Sequence, residues 1–265
     1  MVSYRITVIM GVYNCEATLR EALESLEIQT YNNWKVVMCD DGSTDQTKKV
    51  ACEYVSKNPQ KYILIENKRN MGLNYTLNHC LDFVDTEYIA RMDGDDISLP
   101  DRFQKEICFL DTHPEYALVS GPMIYFDEHG DFRIGKCCGE PSINSFAKDS
   151  PFAHAPCLIR TDAIKSVGGY SVSNKLLRVE DWDLWIRLYE KGYKGYNLTD
   201  PIYKMRDSRD AIARRNLKNR VNEARVRWYA IRKLHLPCYL FPYVLKPLVI
   251  AFMPKKIYSY FHKKR

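Results

Sequence analysis

Two periods alternate along this chain. Ile6-Thr7-Val8-Ile9-Met10 and residues 34–39, 62–65 and 88–92 are short apolar runs, the pattern of strands buried on both faces. Between them, residues 16–27 place Leu19, Leu23 and Leu26 at helical spacing with Ala22 beside them. A second helix runs through Val50 and Tyr54, with Ser43 or Thr44 placed to cap it, and a third spans 72–83. Strand and helix in strict alternation predict an α/β fold: a mostly parallel sheet with helices on its faces.

After Pro100 the rhythm changes. Residues 102–110 read as helix, 117–126 as strand, 127–130 as a turn, and 150–160 as irregular and then apolar. A strong helix over 181–191 carries Leu184, Trp185 and Leu188 on one face and stops at Gly192. Residues 202–205 predict a last short strand. The pattern divides the chain into residues 1–97, residues 98–205 and an extension over 206–265.

Acidic residues cluster where two strands end. Asp40-Asp41 follows the second, and Arg91-Met92-Asp93-Gly94-Asp95-Asp96 follows the fourth. Three carboxylates within four positions repel one another and lose hydration unless a cation sits among them. Hard cations such as Mg²⁺ and Mn²⁺ take oxygen ligands and leave positions open for phosphates. Parallel sheets bind ligands beyond the carboxyl ends of their strands, where both clusters fall. A solvated acidic turn is the plain alternative.

Of the 265 residues 46% are hydrophobic, enough for a sizeable core, and the formal charge is +6. The basic residues concentrate in 206–265, where the acids are Asp207, Asp210 and Glu223. A basic tail calls for an acidic partner: anionic lipid, nucleic acid or a phosphorylated ligand. The nine cysteines are scattered without a CxxC pair or zinc spacing. Cys39, Cys108 and Cys157 lie in apolar runs, as buried thiols do, and a reducing cytosol fits. Residues 1–5 lead straight into a strand without the pattern of a signal peptide.

These segments, taken in order, resemble family 2 glycosyltransferases of the GT-A fold, the group that builds bacterial surface polysaccharides. The resemblance is carried by Val8-Ile9-Met10-Gly11-Val12-Tyr13-Asn14, Gln29-Thr30-Tyr31 and Asp40-Asp41-Gly42-Ser43-Thr44-Asp45. It continues through Asn70-Met71-Gly72-Leu73, Asp93-Gly94-Asp95-Asp96, Pro100-Asp101-Arg102 and Glu180-Asp181-Trp182-Asp183-Leu184-Trp185. It covers roughly residues 4–206. It implies a Rossmann-like, mixed but mostly parallel sheet, with 1–97 binding the nucleotide and 98–205 the acceptor. It also implies transfer of a sugar, with inversion, from a nucleoside diphosphate (usually UDP) to a hydroxyl of a growing, lipid-linked surface glycan.

The resemblance assigns roles that elementary chemistry supports. Val12, Tyr13 and Asn14 border the base, Tyr13 offering an aromatic face. Asp40 or Asp41 accepts from base or ribose, Asp40 being the usual choice; turn chemistry is the alternative. Asn70, Gly72, Arg91 and Gly94 fall in the same nucleotide-binding motifs. Asp95 is the metal ligand, Asp93 contacts ribose or a metal-bound water, Asp96 is a third candidate, and the ion is Mn²⁺ or Mg²⁺. Asp181, with Glu180 second, is the general base at a helix N-terminus that stabilises its anion; a helix-capping acid would occupy the same place. His154 and Trp182 become donor or acceptor contacts. Many relatives carry a metal-binding His after the last core strand, where this chain has Arg206 and Arg209, which cannot ligate a metal but can clamp a diphosphate.

The extension predicts a basic helix over 214–233 and then an apolar stretch, 236–253, broken by Pro237, Pro242 and Pro247. A bilayer-spanning helix needs about 20 apolar residues, so residues 236–265 read as an interfacial anchor rather than a span. A helix packed on the core is the alternative. With the resemblance, this places the protein in the cytoplasm, peripheral at the inner face of the plasma membrane, either alone or as a homo-oligomer. Nucleic acid is disfavoured because the tail's aromatics sit among apolar neighbours rather than in a basic groove. A sugar nucleotidyltransferase would need a Gly-rich basic loop after the first strand, and Gly11-Val12-Tyr13-Asn14-Cys15 is not one. A non-catalytic binding module of the same fold is opposed by the intact acidic motifs.

Overall fold

The structure, a computed structural model, describes residues 4–207 and 217–252. Four parallel strands, β1 (Ile6–Val12), β2 (Trp34–Asp40), β3 (Tyr62–Glu66) and β4 (Tyr88–Arg91), are joined by α1 (Leu19–Glu27), α2 (Thr47–Lys57) and α3 (Leu73–Leu81). Their register aligns the carboxyl ends: Val12 pairs with Asp40, and Asp40 with Glu66. Tyr13, Asp40-Asp41 and the loop after β4 therefore leave the sheet at one edge.

The sheet does not stop at β4. After β5 (Ile97–Ser98), α4 (Arg102–Thr112) leads to β6 (Tyr116–Ser120), β7 (Met123–Asp127) and β8 (Gly130–Ile134). Then come β9 (Leu158–Arg160), α5 (Thr161–Ser166), α6 (Glu180–Glu190), β10 (Lys194–Asn197) and β11 (Tyr203–Arg206). One seven-stranded sheet has the order β10-β6-β9-β4-β1-β2-β3, with β9 antiparallel to β4 and β6. A second sheet, β5-β11-β7-β8, stands beside it. The two halves divided at residue 98 thus share one sheet.

Side chains on β1 alternate between two helical layers, as the pleat requires. Val8 and Met10 join Trp34, Tyr62 and Phe103 on one side, while Ile9 joins Leu77, Trp185 and Leu188 on the other. The extension begins with α7 (Leu217–Lys233) and α8 (Pro242–Phe252). α7 is no free appendage: Ala224, Val226 and Ala230 are buried in the Trp185 layer, so the core does not end at 205. Among the described residues no helix is long and apolar enough to cross a membrane.

Three local expectations change. The run 117–126 is two strands, because Gly121-Pro122 carries the chain from one sheet to the other; a Cβ on Gly121 would lie 3.0 Å from Ile202. Asp45 and not Ser43 or Thr44 accepts from the first turn of α2, at Thr47 N at 2.9 Å, while Ser43 turns to Asp40 and the loop after β1. Cys108 is exposed on α4, whereas Cys39 and Cys157 are buried and all nine thiols are free.

Two buried polar groups lock the site's edge. Gln29 donates to Leu99 O at 2.7 Å and accepts from Phe103 N at 3.2 Å, which accounts for the Gln29-Thr30 motif as a brace. Arg102 is fully buried; its Nη2 donates to the carbonyls of Arg91, Ala155 and Cys157, and its Nε to Glu106 Oε2 at 3.1 Å. It ties the end of β4 to the segment entering β9. Removing one partner of a buried pair strands the other charge, whereas replacing both is tolerated. Arg102→Met is expected to lower unfolding free energy by about 3–5 kcal/mol, and Arg102→Met/Glu106→Leu to regain most of it in urea titrations. A double variant no more stable than the single one would contradict this account.

Candidate active site

The loop after β1 and the loop after β4 are clamped together. Asn14 sits in the left-handed region (φ 48°), with its Oδ1 accepting from Thr44 N at 2.9 Å and its N–H donating to Ser43 Oγ at 3.1 Å. Thr18 Oγ1 donates to Gly94 O at 2.9 Å. A Cβ on Gly94 would lie 2.9 Å from Cys15 Sγ, so only glycine permits this approach without a shift. Between the loops opens a cavity of about 380 Å³ lined by Tyr13, Asn14, Cys15, Asp93, Asp95 and Arg206. Tyr13 is exposed there, whereas the Val12 side chain is buried in the core and does not line this cavity.

The paired aspartates differ in what they hold. Asp41 accepts from Asn67 Nδ2 and Met71 N through Oδ1, both at 2.8 Å, and from Gly72 N through Oδ2 at 2.9 Å. Both oxygens are thus committed to the 67–72 turn, where Gly72 has φ +89°. Asp40 uses one oxygen, Oδ1, to accept from Ser43 Oγ at 2.5 Å and Ser43 N at 3.2 Å; its Oδ2 has no partner among the described residues. Asn70 is exposed, its backbone pressed against Gly42.

Asp93, Asp95 and Asp96 bring one carboxylate oxygen each within 4.8 Å of the others. Desolvation first, and then the neighbouring Asp93 charge, raises the Asp95 carboxyl; the same causes together with Asp95 push Asp96 up to about 7. Such mutual elevation is what carboxylates crowded together and partly out of water show. The oxygens still open fit a hard divalent ion: Asp93 gives Oδ1 to Arg91, Asp96 gives Oδ1 to Arg206 N at 2.8 Å, and the Asp95 carboxylate has no hydrogen-bond partner among the described residues' side chains. Arg206 also donates from Nε to Asp95 O at 3.0 Å and from Nη2 to Glu21 Oε2 at 2.5 Å. Arg209 lies outside the described residues.

Arg91 is buried and ion-paired with Asp93, and its Nε finds no partner. Burial alone would lower its pKa, but Asp93 and the Tyr203 hydroxyl hold it above the usual arginine value. Its field reaches Asp181 and His154.

Glu180 and Asp181 open α6. Asp181 is half-buried and accepts from Ser150 Oγ at 3.0 Å. Desolvation and then Glu180 push its carboxyl up to about 6, outweighing the Trp182 N–H, the Ser150 hydroxyl and the Arg91 charge that stabilise the anion. Glu180 borders a separate cavity of about 480 Å³ with Met71, Asn74, Tyr75, Leu177 and Arg178.

Two predicted contacts face inward. Trp182 is only 3% exposed and donates from Nε1 to Phe146 O at 3.1 Å, which places it in the core rather than against a ligand. His154 turns Nε2 to the Tyr170 hydroxyl at 2.9 Å, and desolvation, then Arg91, hold it well below its usual pKa and neutral. Sequence reasoning missed Ser150, Glu21 and Tyr203, whose hydroxyl accepts from Asp93 N at 3.2 Å. All three reach the site through long-range pairing, and no local motif announces them.

Fold and site together define a GT-A glycosyltransferase. The model of "Glycosyl transferase family 2" matches residues 7–167, and that of "Glycosyl transferase family group 2" matches 88–254. The chain belongs to glycosyl transferase family 2 and is a transferase enzyme. It is 42% identical to EpsE of Bacillus subtilis (strain 168), named as a glycosyltransferase, over 98% of this chain and 94% of that protein. It is 33% identical to the amylovoran biosynthesis glycosyltransferase AmsE of Erwinia amylovora, over 97% and 98%. It is 26% identical to WfaP of Escherichia coli, named UDP-Glc:alpha-D-GlcNAc-diphosphoundecaprenol beta-1,3-glucosyltransferase, over 98% of each. S. aureus TarS 1-349 in complex with UDP superposes with TM-score 0.71 at 20% identity, over 92% of this chain and 70% of that one. The mannosyltransferase PcManGT of Pyrobaculum calidifontis, in complex with GDP-Man and Mn2+, gives 0.67 at 18%, over 99% and 80%.

Asp41→Asn tests the division of labour between the paired aspartates. Whichever way its amide is turned, at least one N–H donor of the 67–72 turn loses its acceptor. The variant is expected to lose about 1–3 kcal/mol of stability by urea denaturation. Asp40→Asn is expected to cost less, because one of its oxygens carries no fold contact; equal losses would refute the assignment.

Proposed function

We propose that this enzyme transfers a sugar, with inversion, from a UDP-sugar to a hydroxyl of a lipid-linked surface glycan, working peripherally at the cytoplasmic face of the membrane. The observation that carries the reading is that the Asp93/Asp95/Asp96 cluster and the Glu180-Asp181 terminus of α6 converge on buried Arg91, which pairs with Asp93 and whose charge reaches Asp181. The donor and acceptor named for the E. coli relative, the UDP bound by TarS and the Mn2+ bound by PcManGT support the finer points.

Tyr13 borders the base, and Asp40 Oδ2 accepts from it. Asp95 and Asp96, with Asp93, would hold Mn²⁺ or Mg²⁺, which supplies neutralisation of the charge developing on the departing diphosphate. Arg206 lines the same cavity, with Nη1 unengaged among the described residues, and offers a further positive group. Asp181 accepts the proton of the acceptor hydroxyl as that oxygen attacks the anomeric carbon opposite the diphosphate. A base whose pKa lies just below neutrality is mostly ionised yet still basic, as proton abstraction near pH 7 requires.

Two experiments test this. Because the base must be deprotonated, kcat/KM is expected to fall as pH drops through about 6, the value to which burial raises Asp181. Asp181→Asn should lose about 10²–10⁴-fold in kcat and abolish that limb, while Glu180→Gln keeps it; the reverse pattern would make Glu180 the base. Thermal unfolding with UDP, GDP, CDP and ADP, each with and without Mn²⁺, should give a Mn²⁺-dependent rise with UDP alone, absent in Asp95→Ala. At a hundredfold excess over Kd that rise corresponds to about 2.7 kcal/mol. No rise with any nucleotide would remove the donor site.

A further inference from the structure

We propose that the outer face of α7 and α8 is a bilayer-docking surface with a cavity for the phosphate of an anionic lipid headgroup. The proposal deepens, and rests on, the peripheral placement just argued, but moves its centre from the chain's basic end to folded elements.

A cavity of about 500 Å³ is lined by Lys175, Arg225, Trp228, Tyr229, Arg232 and Lys233. Its one acid, Asp183, is already met by Ser171 Oγ at 2.7 Å and Arg187 Nε at 2.8 Å. Lys233 pairs with Glu190, and Arg225 makes only a 3.4 Å contact to Asn222 Oδ1. The ammonium of Lys175 and the guanidinium of Arg232 make no ion pair among the described residues. Of 16 Lys and Arg in residues 206–265 against three acids, the described helices hold seven against Glu223 alone. Arg220 and Arg227 both pair with that acid. The first 205 residues carry the remaining 23 Lys and Arg against 30 acids. Cations thus outnumber acids seven to one on the described helices, whereas acids outnumber cations in the first 205 residues, and an anionic bilayer would attract the helical side.

The apolar half of the surface adjoins the cavity. Trp228 meets Phe241 edge-on at 5.8 Å. Phe241, Leu245 and Val249 then recur every fourth residue, all exposed, while Val244 on the opposite side of α8 is buried against the core. An exposed aromatic and aliphatic stripe rimmed by Arg and Lys, with Trp and Tyr at the boundary, matches the headgroup and acyl layers of a membrane interface. A protein partner carrying acidic side chains would match the cations but not the stripe.

The tryptophans make this directly testable. Trp34 and Trp185 are 0% exposed and Trp182 is 3% exposed, while Trp228 is 45% exposed, so contact quenching of emission reports Trp228. The intact protein is mixed with phosphatidylcholine vesicles with and without phosphatidylglycerol, and with brominated lipids as quencher. Sedimentation is expected with phosphatidylglycerol and weak without it, together with quenching. Arg225→Gln/Arg232→Gln should lower partitioning about fivefold per cation removed. Leu245→Glu/Val249→Glu should abolish the quenching, with thermal midpoints and UDP binding unchanged in both variants. The proposal is overturned if Trp228 is not quenched, or if inorganic phosphate displaces the vesicles completely. It also fails if neutralising Lys255, Lys256, Lys263, Lys264 and Arg265 removes binding while Arg225→Gln/Arg232→Gln does not. UDP binding without vesicles is measured in the same samples, so loss of the donor reading and loss of the docking surface are told apart.

Discussion

A guanidinium taken out of water must be met by negative charge or dipoles, and Arg91 is buried where β4 ends. Asp93 meets it directly. Asp96, Tyr170 and Tyr203 surround it, and its charge holds the Asp181 carboxyl lower than burial and Glu180 would leave it. His154, in the same field, is kept neutral. One fixed cation therefore acts, beside desolvation, on groups of both the acidic cluster and the α6 terminus. The frame that fixes it is equally constrained: the Arg91 carbonyl is held by Arg102, itself buried with Glu106.

Around this charge the acids divide into those that hold the fold and those that remain open. Asp41 accepts three hydrogen bonds through both of its oxygens from the 67–72 turn and behaves as a pin. Asp40 and Asp181 each keep one oxygen without a side-chain partner among the described residues, and Asp95 lines the cavity with both of its oxygens so placed. A carboxylate with every lone pair engaged cannot also bind a ligand, so engagement separates structural from reactive acids better than sequence position does.

That criterion also explains what was legible beforehand. The four leading strands, their helices and the acidic clusters at their carboxyl ends follow from local periodicity, which β-branched runs and 3.6-residue spacing report directly. β5 and β9 do not, because two- and three-residue strands exist only through partners far along the chain. Asp40 and Asp41 look alike in sequence; only the packing of residues 67–72 against β2 separates them. Trp182 was misplaced because the Glu180-Asp181 motif sits on the first turn of an amphipathic helix, and a 3.6-residue repeat turns position 182 inward while 180 faces the cleft. Arg206 was legible as a residue unable to bind a metal, but its bond to Glu21 spans 185 positions and has no local signature.

The same long-range pairing links the two ends of the molecule. Asn222 on α7 donates to Leu177 O at 3.2 Å and Asn174 O at 3.4 Å, gripping the segment that leads into Glu180-Asp181. Arg227 on α7 stacks 4.7 Å over the Trp182 ring and donates to Lys148 O at 3.1 Å, two residues from the Ser150 that orients Asp181. Arg178, within the gripped segment, lies in the left-handed region at φ 69°, a conformation that a side chain of its size holds only under tertiary constraint. α7 is therefore the element that supplies this constraint. Its inner face sets the approach to the proposed base, and its outer face carries the free cations. Under the docking proposal, an acceptor held by a lipid at that outer face would meet a cleft whose geometry depends on the same helix, so anchoring and positioning would both fall to α7 rather than to a linker.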